Sequence, residues 1–103
     1  MVDVMHRVLD DMEQNVHSAS LLLKALSNEC RLLILCNLLD GEKSVSQLNQ
    51  RVDLSQSALS QHLARLRRDN LVKVRKEAQT VYYHIASTEA EQVIGLMHKL
   101  YCE

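Results

Sequence analysis

A chain of 103 residues that is 47% hydrophobic and 24% charged has the composition of one ordinary globular domain, which argues against disorder. It has three Tyr but neither Phe nor Trp, so its core must be built from Leu, Val, Ile, Met and Ala; that is thin for so small a chain and favours burial against a second copy. The net charge of −1 argues against a nonspecific polyanion binder, but it is unevenly spread. Residues 51–76 carry seven Lys/Arg against two Asp, whereas residues 1–50 carry four bases against seven acids and residues 77–103 one base against four acids. One basic segment is framed by acidic ones, the local footprint expected of a nucleic-acid contact.

No stretch approaches the ~18–20 apolar residues of a membrane span. Acids come early and no apolar run follows Met1, so no secretory signal is expected and the chain reads as cytoplasmic. Three scattered Cys, an odd number, do not suggest a secreted disulfide framework.

In chain order, residues ~6–26 read as a first helix with Leu9, Met12, Val16, Leu22, Leu23 and Leu26 as its apolar positions. Asn28 is placed to cap a second helix, ECRLLILCNLLD, that stops before Gly41, with Arg31 in its first turn. Ser44 with Gln47 has the spacing of a capping box and opens a short third helix through Leu48 and Val52. After a tight turn at Asp53-Leu54, Ser55 caps a fourth helix from Gln56 to about Asp69 or Asn70. Leu71–Lys76 and Thr80–Ala86 are β-rich runs separated by Glu77-Ala78-Gln79, which predicts a hairpin. Thr88 with Glu91 suggests another capping box, opening a last helix to about Cys102 with Val93, Ile94, Met97, Leu100 and Tyr101 on its apolar face. The order predicts a mainly α fold with a small β-hairpin, a winged helix-turn-helix over residues 1–103.

On a helical wheel of the fourth helix, Leu59, Leu63 and Leu66 fall within about 60° of one another, so they form the buried stripe. Ser57, Gln61 and Arg68 lie opposite, flanked by Ser60, Ala64 and Arg65, and Gln56 opens the helix. Short hydrogen-bonding side chains near a helix start can reach base edges in a major groove, where Gln pairs naturally with adenine. The free N–H groups of the first turn suit a phosphate. Arg65 and Arg68 have the reach and charge for the backbone, as do Lys73, Arg75 and Lys76 of the hairpin. His62 falls on the shoulder of the buried stripe and reads first as a packing residue. A charged outer face on its own is usually just solvated; the basic hairpin beyond it tips the reading toward DNA.

The segments ALSNECRLLIL, SQSALSQHL and LVKVRKEAQTVYY together resemble the ArsR/SmtB family of winged-helix regulators over nearly the whole chain. ILCNLL and the C-terminal LYC make the chain most similar to its HlyU-like branch, akin also to the sulfide-responsive BigR and SqrR regulators. The resemblance implies a homodimer with its first and last helices at the interface and two recognition helices docked on an imperfect inverted repeat in an AT-rich promoter. It also implies control of haemolysin or other virulence genes, or of sulfur and redox-response genes. By residue type alone Cys36 and Cys102 are ordinary packing residues; the resemblance implies that they form a redox pair controlling DNA affinity. Cys30 lies six positions from Cys36, about 9 Å along one helix, and cannot bridge to it there.

Two alternatives remain at this stage. One is a metal-responsive repressor using Cys36, Cys102 and His98, since thiolate and imidazole suit zinc. Against it, the chain has no Cys-x-Cys, and Glu89, Glu91 and His98 of the last helix lack the spaced acid/His pattern of metal-sensing relatives. The other is a DNA-binding anti-silencer that senses nothing. No cofactor is implied. A winged fold that binds protein rather than DNA is disfavoured by the basic face. An enzyme is not expected, for there is no Gly-rich phosphate loop, nucleophile elbow or HExxH.

Overall fold

The computed structural model describes residues 2–102, with side chains from Val4. The first helix, α1, runs Val2–Leu26, several residues earlier than expected, because nothing in that stretch breaks a helix. Its C-terminus is finished from outside. Arg31 Nε donates to the Ala25 carbonyl at 2.7 Å and Nη2 to that of Lys24 at 3.4 Å, so a cation satisfies carbonyls that the helix leaves open. α2 (Glu29–Asn37) is capped by Asn28, whose Oδ1 accepts from the Arg31 N–H at 3.0 Å. It ends before the expected Asp40. Tight i→i−3 bonds from Leu38, Leu39 and Gly41 carry the chain round instead, and Gly41 takes φ 136°, where side chains are strained.

β1 (Lys43–Ser44) is a strand the pattern did not predict; it pairs antiparallel with Tyr83 and Tyr82. Ser44 then serves as cap of α3 (Val45–Arg51) in the expected capping box: its Oγ accepts from Gln47 N at 3.1 Å and its N–H donates to Gln47 Oε1 at 2.8 Å. α4 (Gln56–Arg68) follows, capped by Ser55 Oγ on Ala58 N at 3.1 Å. It closes in a Schellman motif, with Leu71 N–H on the Leu66 carbonyl, Asn70 N–H on that of Arg67, and Asn70 at φ 62°. Leu66 and Leu71, the apolar pair such a cap brings together, are both buried.

β2 (Val72–Glu77) and β3 (Thr80–Ile85) form the hairpin, joined by Ala78-Gln79 with Ala78 at φ 56°. The sheet order is β1-β3-β2. α5 (Thr88–Cys102) closes the chain. Its cap is not the expected Thr88–Glu91 box: Ser87 Oγ accepts from Ala90 N at 3.1 Å, and the Ser87 carbonyl accepts from Glu91 N. The fold is therefore a winged helix-turn-helix of five helices and a three-stranded antiparallel sheet.

Ile34, Leu35, Leu48, Leu59, Leu63, Leu66, Val72 and Ile94 are fully buried and join α2, α3, α4, β2 and α5 into one core. Most of α1 stays outside it. Of the apolar positions expected there, only Leu26 is buried and Leu22 partly so, while Leu9, Met12, Val16 and Leu23 are exposed. Leu100 and Tyr101 of α5 are likewise exposed. No helix among the described residues is long and apolar enough to cross a membrane.

Candidate nucleic-acid interface

α3 and α4 meet through a turn in which Val52 N–H bonds the Leu48 carbonyl and Leu54 N–H the Val52 carbonyl, each at 2.9 Å. Burial of Leu59, Leu63 and Leu66 fixes the rotation of α4 and leaves Ser57, Ser60, Gln61 and Ala64 exposed on the outward side, as the wheel predicts, with Gln56 exposed at the helix start. His62 is half-buried, as its shoulder position suggests. The outer face is polar at the N-terminal end and cationic at the C-terminal end, where the helix dipole favours cations in any case.

The cations are not equivalent. Arg65 is half-buried and donates from Nε to Asp69 Oδ2 at 3.2 Å; Arg68 is far more exposed and reaches the same carboxylate only at 3.9 Å. On the hairpin, Lys73 and Lys76 are exposed. Arg75 is held by two acids: Nε and Nη2 donate to Glu42 at 2.6–3.1 Å, and Nη1 to Glu77 Oε2 at 3.1 Å. Hydrogen bonds to Glu42 and then Glu77 raise the Arg75 pKa further above its already basic range, and the Arg75 bond holds the Glu42 carboxyl below its usual range. Glu42 and Asp69 were not singled out from the sequence. Asp69 sits four positions after Arg65, a visible helical pairing, but Glu42 lies 33 positions from Arg75, and only the sheet brings them together.

Of the three cysteines, Cys30 and Cys36 are half-buried and Cys102 is exposed, all as free thiols. Burial pushes the Cys36 thiol above its usual pKa, and the nearby charge of Cys102 raises it further. Among the described residues no three His, Cys, Asp or Glu side chains gather as a metal site, Cys36, Cys102 and His98 included.

Residues 28–74, from the cap of α2 into β2, match the family described as bacterial regulatory protein, arsR family. The chain is 61% identical over 95 residues to the transcriptional activator HlyU of Vibrio cholerae, covering 92% of this chain and 88% of that protein. The solved structure of reduced HlyU superposes with a TM-score of 0.85 over 90% of this chain and 98% of that one. The biofilm growth-associated repressor of Xylella fastidiosa is 33% identical, covering 96% of this chain and 87% of that protein. A homodimeric winged helix-turn-helix DNA-binding domain from Mycobacterium bovis, 27% identical, superposes with a TM-score of 0.74 over 87% of this chain and 84% of that one. With the fold, the outward face of α4 and the relatives in agreement, this chain belongs to the arsR family of regulators, as a DNA-binding transcriptional regulator of the HlyU type and not an enzyme.

Proposed function

We propose that residues 1–103 act as one winged helix-turn-helix unit, in the cytoplasm, as a homodimer on double-stranded DNA. The observation that carries the reading is the division of α4 into a fully buried Leu59-Leu63-Leu66 stripe and an exposed polar face. Gln56, Ser57, Ser60 and Gln61 read base edges in a major groove, and Arg65, Arg68, Lys73 and Lys76 meet phosphates. Arg75, held by Glu42 and Glu77, is left out of this set. Two such helices in a two-fold dimer suit an imperfect inverted repeat in an AT-rich promoter with half-sites about one helical turn apart.

The dimer is supported by an apolar seam that the single chain leaves uncovered: Val4, Met5, Val8, Leu9, Met12, Val16 and Leu23 on α1, with Leu96, Leu100 and Tyr101 on α5. A patch of that extent is unusual on a stable monomer, and a second copy is the partner that buries the same seam twice.

Cys36 and Cys102 act as a thiol switch on this dimer, responding to reactive sulfur species. The exposed Cys102 exchanges with a low-molecular-weight persulfide, gaining a sulfane sulfur and releasing the thiol. The Cys36 thiolate then attacks the inner sulfur of Cys102 persulfide, forming the disulfide and expelling hydrosulfide. The raised pKa of Cys36 lowers its thiolate fraction and so slows this second step. The bond ties α5 to α2 and so biases the dimer between arrangements of different DNA affinity. The regulated genes are of the virulence or sulfur and redox-response kind; one relative is named an activator and another a repressor, so the sign of control is not carried over.

The test is DNA affinity of reduced and persulfide-treated protein on the duplex upstream of its own gene, with mass spectrometry of the Cys102 peptide. A drop in affinity together with a Cys36–Cys102 link supports the switch. Equal affinity without a link returns both residues to packing roles and leaves the DNA reading intact.

A further inference from the structure

The bond pattern around Arg75 has a geometry that a phosphate contact does not need. The register places Arg75 of β2 opposite Tyr82 of β3, and its guanidinium carbon lies 4.8 Å from the centre of that ring. β3 is the central strand and Glu42 directly precedes β1, the opposite edge. Arg75 therefore reaches across the middle strand, a span of about 9–10 Å between edge strands, and closes a forked pair with Glu42. Each of its three guanidinium nitrogens donates to a carboxylate, counting Nη1 to Glu77. Three of its five N–H groups are spent on these acids, and two acids around one cation leave the spot net negative, which disfavours a phosphate there.

Glu42 sits two residues before Ser44, the cap of α3. The pair thus joins the far strand of the wing to the entry of the helix-turn-helix. We propose that Glu42 and Arg75 form a strut across the sheet, with Tyr82 as its bed, that sets the wing's orientation toward DNA and keeps Arg75 out of the phosphate-contacting set. Glu42 is then a positioning residue for DNA binding, and the wing meets phosphate through Lys73 and Lys76. The inference rests on the DNA-facing reading of α4 and the wing.

Full-length protein is titrated with the promoter duplex over a range of salt, as wild type, Arg68→Ala, Arg75→Ala, Arg75→Lys and Lys76→Ala; amide exchange in β1 and β3 is followed without DNA in wild type and Glu42→Gln. Lys76→Ala is expected to flatten the log–log salt slope by about 0.9 per protomer. Arg75→Ala is expected to keep the wild-type slope while losing affinity by the same factor at every salt concentration. Arg75→Lys keeps the charge without the planar fork and is expected to lose affinity likewise. Glu42→Gln is expected to speed exchange in β1. Flattening by Arg75→Ala equal to that of Lys76→Ala, full rescue by Arg75→Lys, or unchanged exchange in Glu42→Gln would each overturn the strut. Slopes unmoved by both Lys76→Ala and Arg68→Ala would instead overturn the DNA-facing reading, and the exchange measurement, which needs no DNA, still decides the strut.

Discussion

Replacing Arg68 by Ala isolates the electrostatic part of DNA binding. The Arg68 side chain is 71% exposed and its ion pair to Asp69 is long at 3.9 Å, while Arg65 is 37% exposed and bonded to the same carboxylate at 3.2 Å. Of the two α4 cations assigned to the backbone, Arg68 therefore has less to give up on meeting a phosphate. One phosphate per protomer corresponds to about 0.9 in the slope of log affinity against log salt, so a dimer loses about 1.8. Between about 50 and 200 mM salt, a fourfold change, the gap between wild type and variant then narrows by roughly tenfold. Fluorescence anisotropy on a labelled promoter duplex measures this directly. Cognate and random duplexes should show the same change, because a phosphate contact carries no sequence information. An unchanged slope, or a loss confined to cognate DNA, would refute the assignment of Arg68 to the backbone.

Gln61→Ala, at the exposed centre of α4, should cost about 1–3 kcal/mol of discrimination between cognate and random DNA; equal loss on both would remove it from base reading. Leu63→Ala, at a position with no exposure, should lower unfolding free energy by about 2–5 kcal/mol in a denaturant titration, and a loss below that range would mean that the α4 stripe is loosely packed. Asp40 and Glu42 have carboxyls held below their ordinary values of 3.8 and 4.5, chiefly by side-chain hydrogen bonds to Lys43 and Arg75. A depressed folded pKa favours the fold fully above the ordinary range and loses that contribution as pH falls through the depressed value. Stability should thus decline on acidification below about pH 5, and less steeply in an Asp40→Asn/Glu42→Gln double variant; identical acid limbs would show that these bonds add nothing to the fold.

The parts of the fold that local chemistry dictates were legible in the sequence. The Leu59-Leu63-Leu66 stripe, the Asn28 and Ser55 caps and the Ser44–Gln47 box stand where spacing puts them, because each depends on residues within a turn or two. The capping of α5 shows the limit. The box template selects Thr88 with Glu91, but the hydroxyl that meets a helical N–H is that of the adjacent Ser87. β1 is two residues long, too short to show a period, and exists only because β3 offers it an edge. Leu38 and Leu39 continue the apolar pattern of α2, yet the chain tightens there toward Gly41. For the candidate site, the outward face of α4 was readable, whereas the differing availability of its cations was not. A charge count over residues 51–76 includes Arg75 and omits Glu42, which neutralises it from outside that window.

The bonds from Arg31 to the end of α1 give the molecule a stiff elbow. The guanidinium belongs to the body that carries α4, and the carbonyls it holds belong to the arm that carries the apolar seam. Arm and body cannot swing apart without freeing the Arg31 cation and the Ala25 carbonyl together. In a pair of such chains, the distance between the two reading heads would follow from how the arms cross, as the span of a pair of dividers follows from its pivot. A perturbation anywhere along the α1 seam would then register as a change of pitch at the DNA, with no need for α4 itself to move within its own core.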